Sequence, residues 1–225
     1  MSNHHHRQLV LASGSPRRRE LLDITGFSFT QLSVDIDESV LPDEAPAAYT
    51  LRVSREKALA ASTILDANSI ILSADTTVAD GNIILGKPSD TDEAAIMLQQ
   101  LRNHAHQVYT AITILEVSTD HLVQDLAVTD VVMRDYSDDE IAAYIRSGDP
   151  MDKAGSYAIQ NRVFDPVAKI NGCYANVVGL PLCHLMRTLR QFELFPQSDI
   201  PIICQRENEI ECPVYDEILN GKSEY

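Results

Sequence analysis

The chain has 225 residues, enough for one large α/β domain or for two lobes that share a cleft. A formal net charge of −15 at pH 7 opposes binding to polymeric nucleic acid and to anionic membranes. No apolar run approaches the roughly 20 residues that span a bilayer, and the first eight residues do not resemble a secretion signal. We therefore expect a soluble protein, without a membrane partner, in the cytoplasm.

Three segments follow from composition: a polar N-terminus (residues 1–7), a globular domain (residues 8–195) and an acidic tail (residues 196–225) without clear apolar periodicity. The run His4 to His6 is a native polar terminus or a tag remnant, with metal binding the least favoured interpretation. The cysteines match no zinc spacing, and we expect buried, reduced thiols at Cys173, Cys183, Cys204 and Cys212. Pairing or metal binding by the last two is a less favoured alternative.

The first half of the domain alternates strands and helices. The pattern predicts strands over Leu9–Ala12, Phe27–Val34, Ser69–Val78 and Ile83–Leu85, and helices over Arg17–Thr25, Ala47–Leu65 and Asp90–Arg102. Ser15 is a good N-cap for the first helix, and Ser89 or Thr91 opens the third. The turn Asp80-Gly81-Asn82 predicts a hairpin, and Asp75 lies near the end of its first strand.

The second half continues the mixed order. Its pattern predicts strands over His106–Val117, His121–Met133 and Tyr157–Ile170. It also predicts a helix from the Ser137 capping box to about Gly148 and a last helix from Leu180-Pro181 through Phe192. The fold class is therefore α/β.

Because the tail shows no periodicity, we expect removal of residues 198–225 to leave a folded, active protein.

Three arginines follow the loop Ser13-Gly14-Ser15-Pro16 in the first turn of a helix. Cations there oppose the helix dipole unless an anion is bound between them and the free amides. A solvated basic face is the alternative, but the small-residue loop before the arginines favours a phosphate site. The GxxxxGK[ST] pattern is missing, which disfavours a P-loop enzyme.

A second group of candidates consists of Glu38, Lys57, Asp75 and Lys87. Each residue alone is more often a solvated surface side chain. Together they offer carboxylates for Mg²⁺, cations for a polyphosphate and a base for water. The residues by themselves predict a site for a phosphate ester or anhydride.

Six blocks carry a family resemblance: residues 11–18 (LASGSPRR), 54–58 (SREKA), 74–78 (ADTTV), 86–88 (GKP), 152–160 (DKAGSYAIQ) and 176–181 (NVVGLP). Together they resemble the Maf family of nucleotide pyrophosphatases over residues 9–192. The resemblance implies an elongated, twisted mixed sheet with flanking helices and two lobes around a cleft, like that of the inosine triphosphate pyrophosphatases. It also implies a homodimer and hydrolysis of a nucleoside triphosphate to the monophosphate and pyrophosphate, assisted by Mg²⁺, Mn²⁺ or Co²⁺.

The resemblance also implies roles for single residues. Asp75 matches the family's proton acceptor, and Glu38 matches a metal-holding carboxylate. The substrate-specificity positions match Arg17, Thr76 and Gln160, whose side chains resemble those of the subgroup acting on dTTP and UTP rather than 7-methyl-GTP. The phosphate-binding positions match Ser13, Arg18, Lys57 and Lys87.

The chain departs from the family pattern at Ala111 and Asn161, where glycine is common, and in the tail beyond Phe195. Two other functions remain open. One is a regulator of cell division or septum formation that acts through a protein partner and uses nucleotide only as a signal. The other is a sugar-phosphate phosphatase, which would release orthophosphate.

Overall fold

The computed structural model describes residues 7–221, so His4 to His6 lie outside the described residues. The strands are β1 (Gln8–Ala12), β2 (Phe29–Leu32), β3 (Ser69–Asp80), β4 (Ile83–Leu85), β5 (Ala105–Glu116), β6 (His121–Met133) and β7 (Val167–Asn171). The helices are α1 (Pro16–Asp23), α2 (Pro46–Ser62), α3 (Thr91–Leu101), α4 (Asp138–Arg146), α5 (Tyr174–Val178), α6 (Leu182–Leu189), α7 (Ile200–Asn208) and α8 (Tyr215–Leu219). Short 3₁₀ helices span Asp149–Asp152, Ala154–Ser156 and Arg190–Phe192.

Within residues 7–221, all strands form one mixed sheet with the order β2-β1-β3-β5-β6-β7, and β4 also pairs with β3. Strand β1 runs parallel to β2 and β3, whereas β3, β5, β6 and β7 pair antiparallel. The antiparallel β3–β4 hairpin follows the predicted turn. The expected α/β fold, a mixed sheet with flanking helices, is confirmed.

The two edges of β3 differ, and this difference places the cleft. Strand β5 pairs with β3 from Ile70 to Ala79 along one edge. On the other edge, β1 pairs with residues 69–72 and β4 with residues 78–80. The described strands therefore leave residues 73–77 unpaired on that edge. Asp75 lies in this gap, in the middle of β3 and not near its end as predicted.

Alternation along β3 sends its side chains to opposite faces. Ile70, Leu72 and Ala74 pack with α1, α5 and α6 in one apolar cluster, whereas Ile71 packs on the other face against α2. A further cluster joins the β3–β4 hairpin to α3 and α4. By the same alternation, Asp75 and Thr77 face α2, and Thr76 faces α1 and α5.

The N-cap residues predicted from the sequence are confirmed at two helices and wrong at a third. The Ser15 side chain accepts from the backbone of Arg18 at 3.4 Å, and Ser137 forms the predicted capping box with Glu140. Helix α3 is capped by Asp90, not by Ser89 or Thr91, because its carboxylate accepts from two backbone amides of the first turn at 2.9 and 3.0 Å.

The predicted strand over Tyr157–Ile170 is wrong except for its last residues, which belong to β7. The side-chain oxygen of Asn161 accepts from the backbone amides of Val163 and Phe164 at 3.1 and 2.8 Å, so turns replace a ladder there. The predicted last helix is confirmed as α6, which continues into the 3₁₀ turn Arg190–Phe192, whereas the short helix α5 before it was not predicted.

The tail contains regular helices although its sequence shows no clear apolar periodicity. Up to residue 221, the tail forms α7 and α8, whose Ile200, Cys204 and Ile218 are buried in the cluster of α1 and α6. Arg187 on α6 donates to the carbonyl oxygen of Ile218 at 3.1 Å and pairs with Asp125 at 2.6 Å. The tail thus completes the core, and we no longer expect it to be dispensable.

The cysteines are free thiols, as predicted, and three of them are buried. Burial raises the pKa of Cys173 to about 12 and that of Cys204 to about 11. No cluster of three or more potential metal ligands from histidine, cysteine, aspartate or glutamate occurs among the described residues. Residues 7–221 also contain no helix with the length and apolarity needed to cross a bilayer.

Candidate active site

A cleft of about 640 Å³ opens at the unpaired edge of β3. It is bounded by the loop before α1, by α2, by the β3–β4 hairpin and by the segment around residues 152–160. The structure brings all of the residues singled out from the sequence into its lining: Ser13, Arg17, Arg18, Glu38, Lys57, Asp75, Thr76, Lys87 and Gln160.

Two carboxylates and a lysine meet on the α2 side of the cleft. The ammonium of Lys57 lies 2.8 Å from Oδ1 of Asp75 and 2.9 Å from Oε1 of Glu38. The side chains of Asp75 and Lys57 are 9% and 12% exposed, whereas that of Glu38 is 51% exposed. The pair is therefore largely removed from water, with Glu38 reaching it from the solvent side.

The loop that carries Glu38 is anchored to α2. The hydroxyl of Tyr49 donates to the carbonyl oxygen of Glu38 at 2.9 Å. Arg52 donates to the carbonyl oxygen of Ser39 at 2.9 Å and to both carboxylate oxygens of Glu44 at 2.7 and 2.8 Å. These bonds fix Glu38 near Lys57, although the loop has no regular structure.

Tyr49 and Thr77 are cleft residues that the sequence analysis missed. Burial, with the negative charges of Asp75 and Glu38, raises the pKa of Tyr49 to about 12. The hydroxyl of Thr77 lies 3.4 Å from Oδ2 of Asp75. The two threonines after Asp75 could have indicated Thr77, because side chains two residues apart on a strand point to the same face as each other.

Arg18 connects three parts of the cleft. Its guanidinium donates to the carbonyl oxygen of Gly179 at 2.9 Å, to Oγ of Ser13 at 3.2 Å and to Oγ1 of Thr76 at 2.9 Å. Burial lowers the pKa of Arg18, and the negative charge of Asp75 opposes this shift. Gly179 has φ 124°, a backbone conformation that side chains with a Cβ rarely adopt and that favours glycine.

The hydroxyl of Thr76 has its single hydrogen engaged. Thr110 donates to the carbonyl oxygen of Asn176 at 3.0 Å, so Thr76 is the donor in its 3.0 Å bond with Thr110. Thr76 thus accepts from Arg18 and donates away from the cleft. It orients the guanidinium and has no free hydrogen to offer a ligand.

Arg17 bonds across the cleft, in a contact that the sequence analysis missed. Its guanidinium lies 3.1 Å from Oδ2 of Asp152, and Oδ1 of Asp152 accepts from the ammonium of Lys153 at 2.6 Å. Both partners belong to the DKAG block that supported the family resemblance. Their role could not be read from spacing, because the ion pair joins residues far apart in the chain.

Lys87 and Gln160 are exposed at the rim of the cleft. Within residues 7–221, neither side chain makes a hydrogen bond or an ion pair, so both are available to a ligand. The Lys87 loop is held by Gly155, whose amide donates to the carbonyl oxygen of Gly86 at 3.0 Å. A Cβ on Gly155 would lie 2.8 Å from Cγ1 of Val78, which fixes glycine at this contact.

Comparison with known proteins agrees with this arrangement. The family model described as "Maf-like protein" matches residues 8–192. The chain belongs to the Maf-like protein family. The match ends just before the tail, so α7 and α8 lie outside the segment that it covers.

Curated relatives align over most of their length. A "dTTP/UTP pyrophosphatase" of Pseudoalteromonas atlantica is 46% identical over 83% of this chain and 97% of its own. Proteins with the same name from Hahella chejuensis and Escherichia coli O157:H7 are 42% and 43% identical, over 86% and 82% of this chain and 96% and 92% of theirs.

A solved structure from Mycobacterium abscessus, described as a nucleoside-triphosphatase and dITP/XTP pyrophosphatase, also aligns with this chain. The alignment has a TM-score of 0.39 and 14% identity, and it covers 83% of this chain and 94% of the other. This likeness is too low to add to the description of the fold.

Proposed function

We propose that this chain hydrolyses dTTP and UTP to the monophosphate and pyrophosphate. The observation that carries the proposal is the nearly buried Asp75 in a cleft that five cationic residues line: Arg17, Arg18, Lys57, Lys87 and Lys153. This concentration of positive charge in a chain of net charge −15 fits a polyphosphate ligand. The printed names of the relatives support dTTP and UTP as substrates.

Asp75 is the base in this proposal. Its carboxylate opens to the cleft on the unpaired edge of β3, and Lys57 fixes one of its oxygens. A carboxylate in that position accepts a proton from a water that attacks the triphosphate. Pyrophosphate leaves against the cations that line the cleft, which stabilise the negative charge that develops on it.

The residues present fit a divalent metal. Oxygens of Glu38 and Asp75 converge within 2.9 and 2.8 Å of one cationic atom, the ammonium nitrogen of Lys57. Mg²⁺ is commonly held by one or two carboxylates together with substrate phosphates, so a cluster of three protein ligands is not required. We propose that Glu38 and Asp75 hold Mg²⁺, Mn²⁺ or Co²⁺, which when bound neutralises phosphate charge.

The remaining candidates divide between the two ends of the substrate. Ser13, Arg18, Lys57 and Lys87 bind the phosphates in this proposal. Arg17 and Gln160 recognise the base, and Thr76 contributes through its bond to Arg18. The homodimer and the cytoplasmic location stay predictions.

A panel of nucleoside triphosphates with Mg²⁺ or Mn²⁺ tests the proposal when pyrophosphate and orthophosphate are separated. We expect stoichiometric pyrophosphate from dTTP and UTP, with a higher kcat/KM than for 7-methyl-GTP. Orthophosphate as the product would support a phosphatase. Tight nucleotide binding without turnover would support the regulatory alternative.

A further inference from the structure

Asp149 lies behind the cleft and is not part of its lining, yet its carboxylate accepts hydrogen bonds from three side chains. Oδ1 accepts from the ammonium of Lys153 at 2.9 Å, and Oδ2 accepts from the hydroxyl of Tyr144 at 2.7 Å and the amide of Asn161 at 3.0 Å. Burial raises the pKa of Asp149, but these three hydrogen bonds outweigh it and leave the pKa below its ordinary value. The carboxylate is thus charged and links three side chains by hydrogen bonds, rather than being a solvated surface group.

One branch from Asp149 leads to Arg17. Lys153 is 8% exposed and lies between Asp149 and Asp152, 2.9 Å from Oδ1 of the first and 2.6 Å from Oδ1 of the second. Oδ2 of Asp152 in turn accepts from Arg17 at 3.1 Å. Asp149 therefore helps to hold Lys153, Asp152 and Arg17 in one alternating row of charges.

The other branches lead to Gln160. Asn161, the next residue, is tied to Asp149 by its amide, while its side-chain oxygen organises the turn that follows. The hydroxyl of Tyr144, which donates to Asp149, accepts from the backbone amide of Ala158 at 3.1 Å. The segment that carries Gln160 is thus held on both sides. This also explains Asn161 in place of the common glycine.

We propose that Asp149 is a positioning residue that sets the base selectivity of the cleft by holding Arg17 and Gln160 at a fixed separation. This inference rests on the proposed function for the roles of Arg17 and Gln160. Asp149 acts on these residues from behind and contacts no substrate. Loss of its charge frees Lys153 from one of its two carboxylates and weakens the tie to Asn161.

The test compares Asp149→Asn with the conservative Asp149→Glu and with Asp138→Asn. Asp138 is a matched control, because it lies on α4 and pairs with Arg102 at 2.8 Å, away from the cleft. Equilibrium affinities for dTTP, GTP and inorganic pyrophosphate are measured by calorimetry in EDTA, beside the melting temperature. The ratio of kcat/KM for dTTP and GTP is measured with Mg²⁺.

We expect Asp149→Asn to lower the preference for dTTP over GTP by about tenfold or more, because small displacements of positioning groups have effects of this size. Pyrophosphate affinity should change less than about twofold, since Lys57 and Lys87 are untouched. Asp149→Glu should recover part of the preference, and Asp138→Asn should keep all of it. If Asp149→Asn does not fold, Asn161→Gly cuts the Gln160 branch alone and should also lower the preference.

Equal weakening of both nucleotides, an unchanged ratio, or a wild-type protein without any base preference would overturn the inference. The two proposals fail separately. A wild-type protein that prefers dTTP in binding but releases no pyrophosphate would contradict the proposed function, while the effect of Asp149→Asn on that preference would still support this inference. An active enzyme whose preference survives Asp149→Asn would contradict this inference alone.

Discussion

The ammonium of Lys57 lies 2.8 Å from Oδ1 of Asp75, which joins α2 to the unpaired edge of β3. Glu38 approaches the same ammonium to 2.9 Å from the solvent side. Lys57 therefore lies between a nearly buried carboxylate and a half-exposed one, which would otherwise repel each other. The three side chains form the part of the cleft where we place the reaction.

Glu38→Gln should weaken divalent-metal binding by at least about tenfold, because an uncharged amide replaces one of two carboxylate ligands. Titration with Mn²⁺ followed by electron paramagnetic resonance measures this directly, and the Mg²⁺ dependence of turnover should shift in the same direction. Asp37→Asn is the control, since that neighbouring carboxylate does not line the cleft. Equal metal affinity in both variants would remove Glu38 from the site.

Thr76→Val should lower the free energy of unfolding by about 1–3 kcal/mol, because Arg18 and Thr110 each lose a hydrogen-bond partner while the shape is kept. Affinity for dTTP should fall with it, since the Arg18 guanidinium is no longer oriented. Urea denaturation and nucleotide titration measure the two effects. Thr76→Ser keeps the hydroxyl and should stay near wild type in both, and a loss as large as that of valine would contradict this account.

Ile218→Ala should cost about 2–5 kcal/mol of stability, because Ile218 is 0% exposed in the main apolar cluster. Ile202→Ala on α7 is a matched control, since that side chain is 63% exposed, and we expect a change within about 0.5 kcal/mol. Removal of residues 198–225 should lower the melting temperature or abolish cooperative unfolding. A truncated protein with wild-type stability would restore the original expectation of a dispensable tail.

His106 should make stability depend on pH below neutrality. Burial lowers its pKa to about 4, against the attraction of Asp80, while Nε2 lies 2.8 Å from the Tyr157 hydroxyl. The imidazole of the unfolded chain has a pKa of about 6.5, so the unfolded state binds more protons than the folded state between the folded and unfolded pKa values. Stability should fall as pH decreases from about 6.5 to about 4, by on the order of 3 kcal/mol.

His106→Gln should flatten this part of the pH profile of the unfolding free energy, measured by urea denaturation. His121→Gln, at an exposed histidine on β6, should leave the wild-type slope intact. An unchanged slope in His106→Gln would show that other groups cause the acid sensitivity.

The residues that line the candidate cleft could be predicted because they lie in sequence blocks that could be compared with a family. Ser13, Lys87 and Gln160 lie in loops, and the structure brings them to one cleft. Their contacts across the cleft could not be predicted. The bond between Arg17 and Asp152 spans 135 residues and leaves no periodic signal in the chain.

The apolar pattern of the sequence did not predict the secondary structure where side chains, instead of a neighbouring strand, bond to the backbone. It also failed where helices are short. The apolar residues between Tyr157 and Ile170 predicted a strand. Instead, the side-chain oxygen of Asn161 accepts hydrogen bonds from two backbone amides and forms a turn. Helix α8 spans only Tyr215–Leu219, too few residues to show a helical period. Its place in the core depends on contacts with α6, which only the structure shows.

Single-turnover hydrolysis of dTTP by Asp75→Asn, measured beside nucleotide affinity, tests the central claim most directly. The substitution keeps the shape of the side chain and removes its basicity, so the rate should fall by about 10² to 10⁴-fold. Nucleotide binding should persist, because in our proposal Arg18 and Lys87 bind the phosphates independently of Asp75. Asp80→Asn on the same strand is the control, since that carboxylate bonds to His104 and Gln100 outside the cleft, and its rate should stay near wild type. A rate for Asp75→Asn within a few-fold of wild type would contradict the assignment of Asp75 as the base.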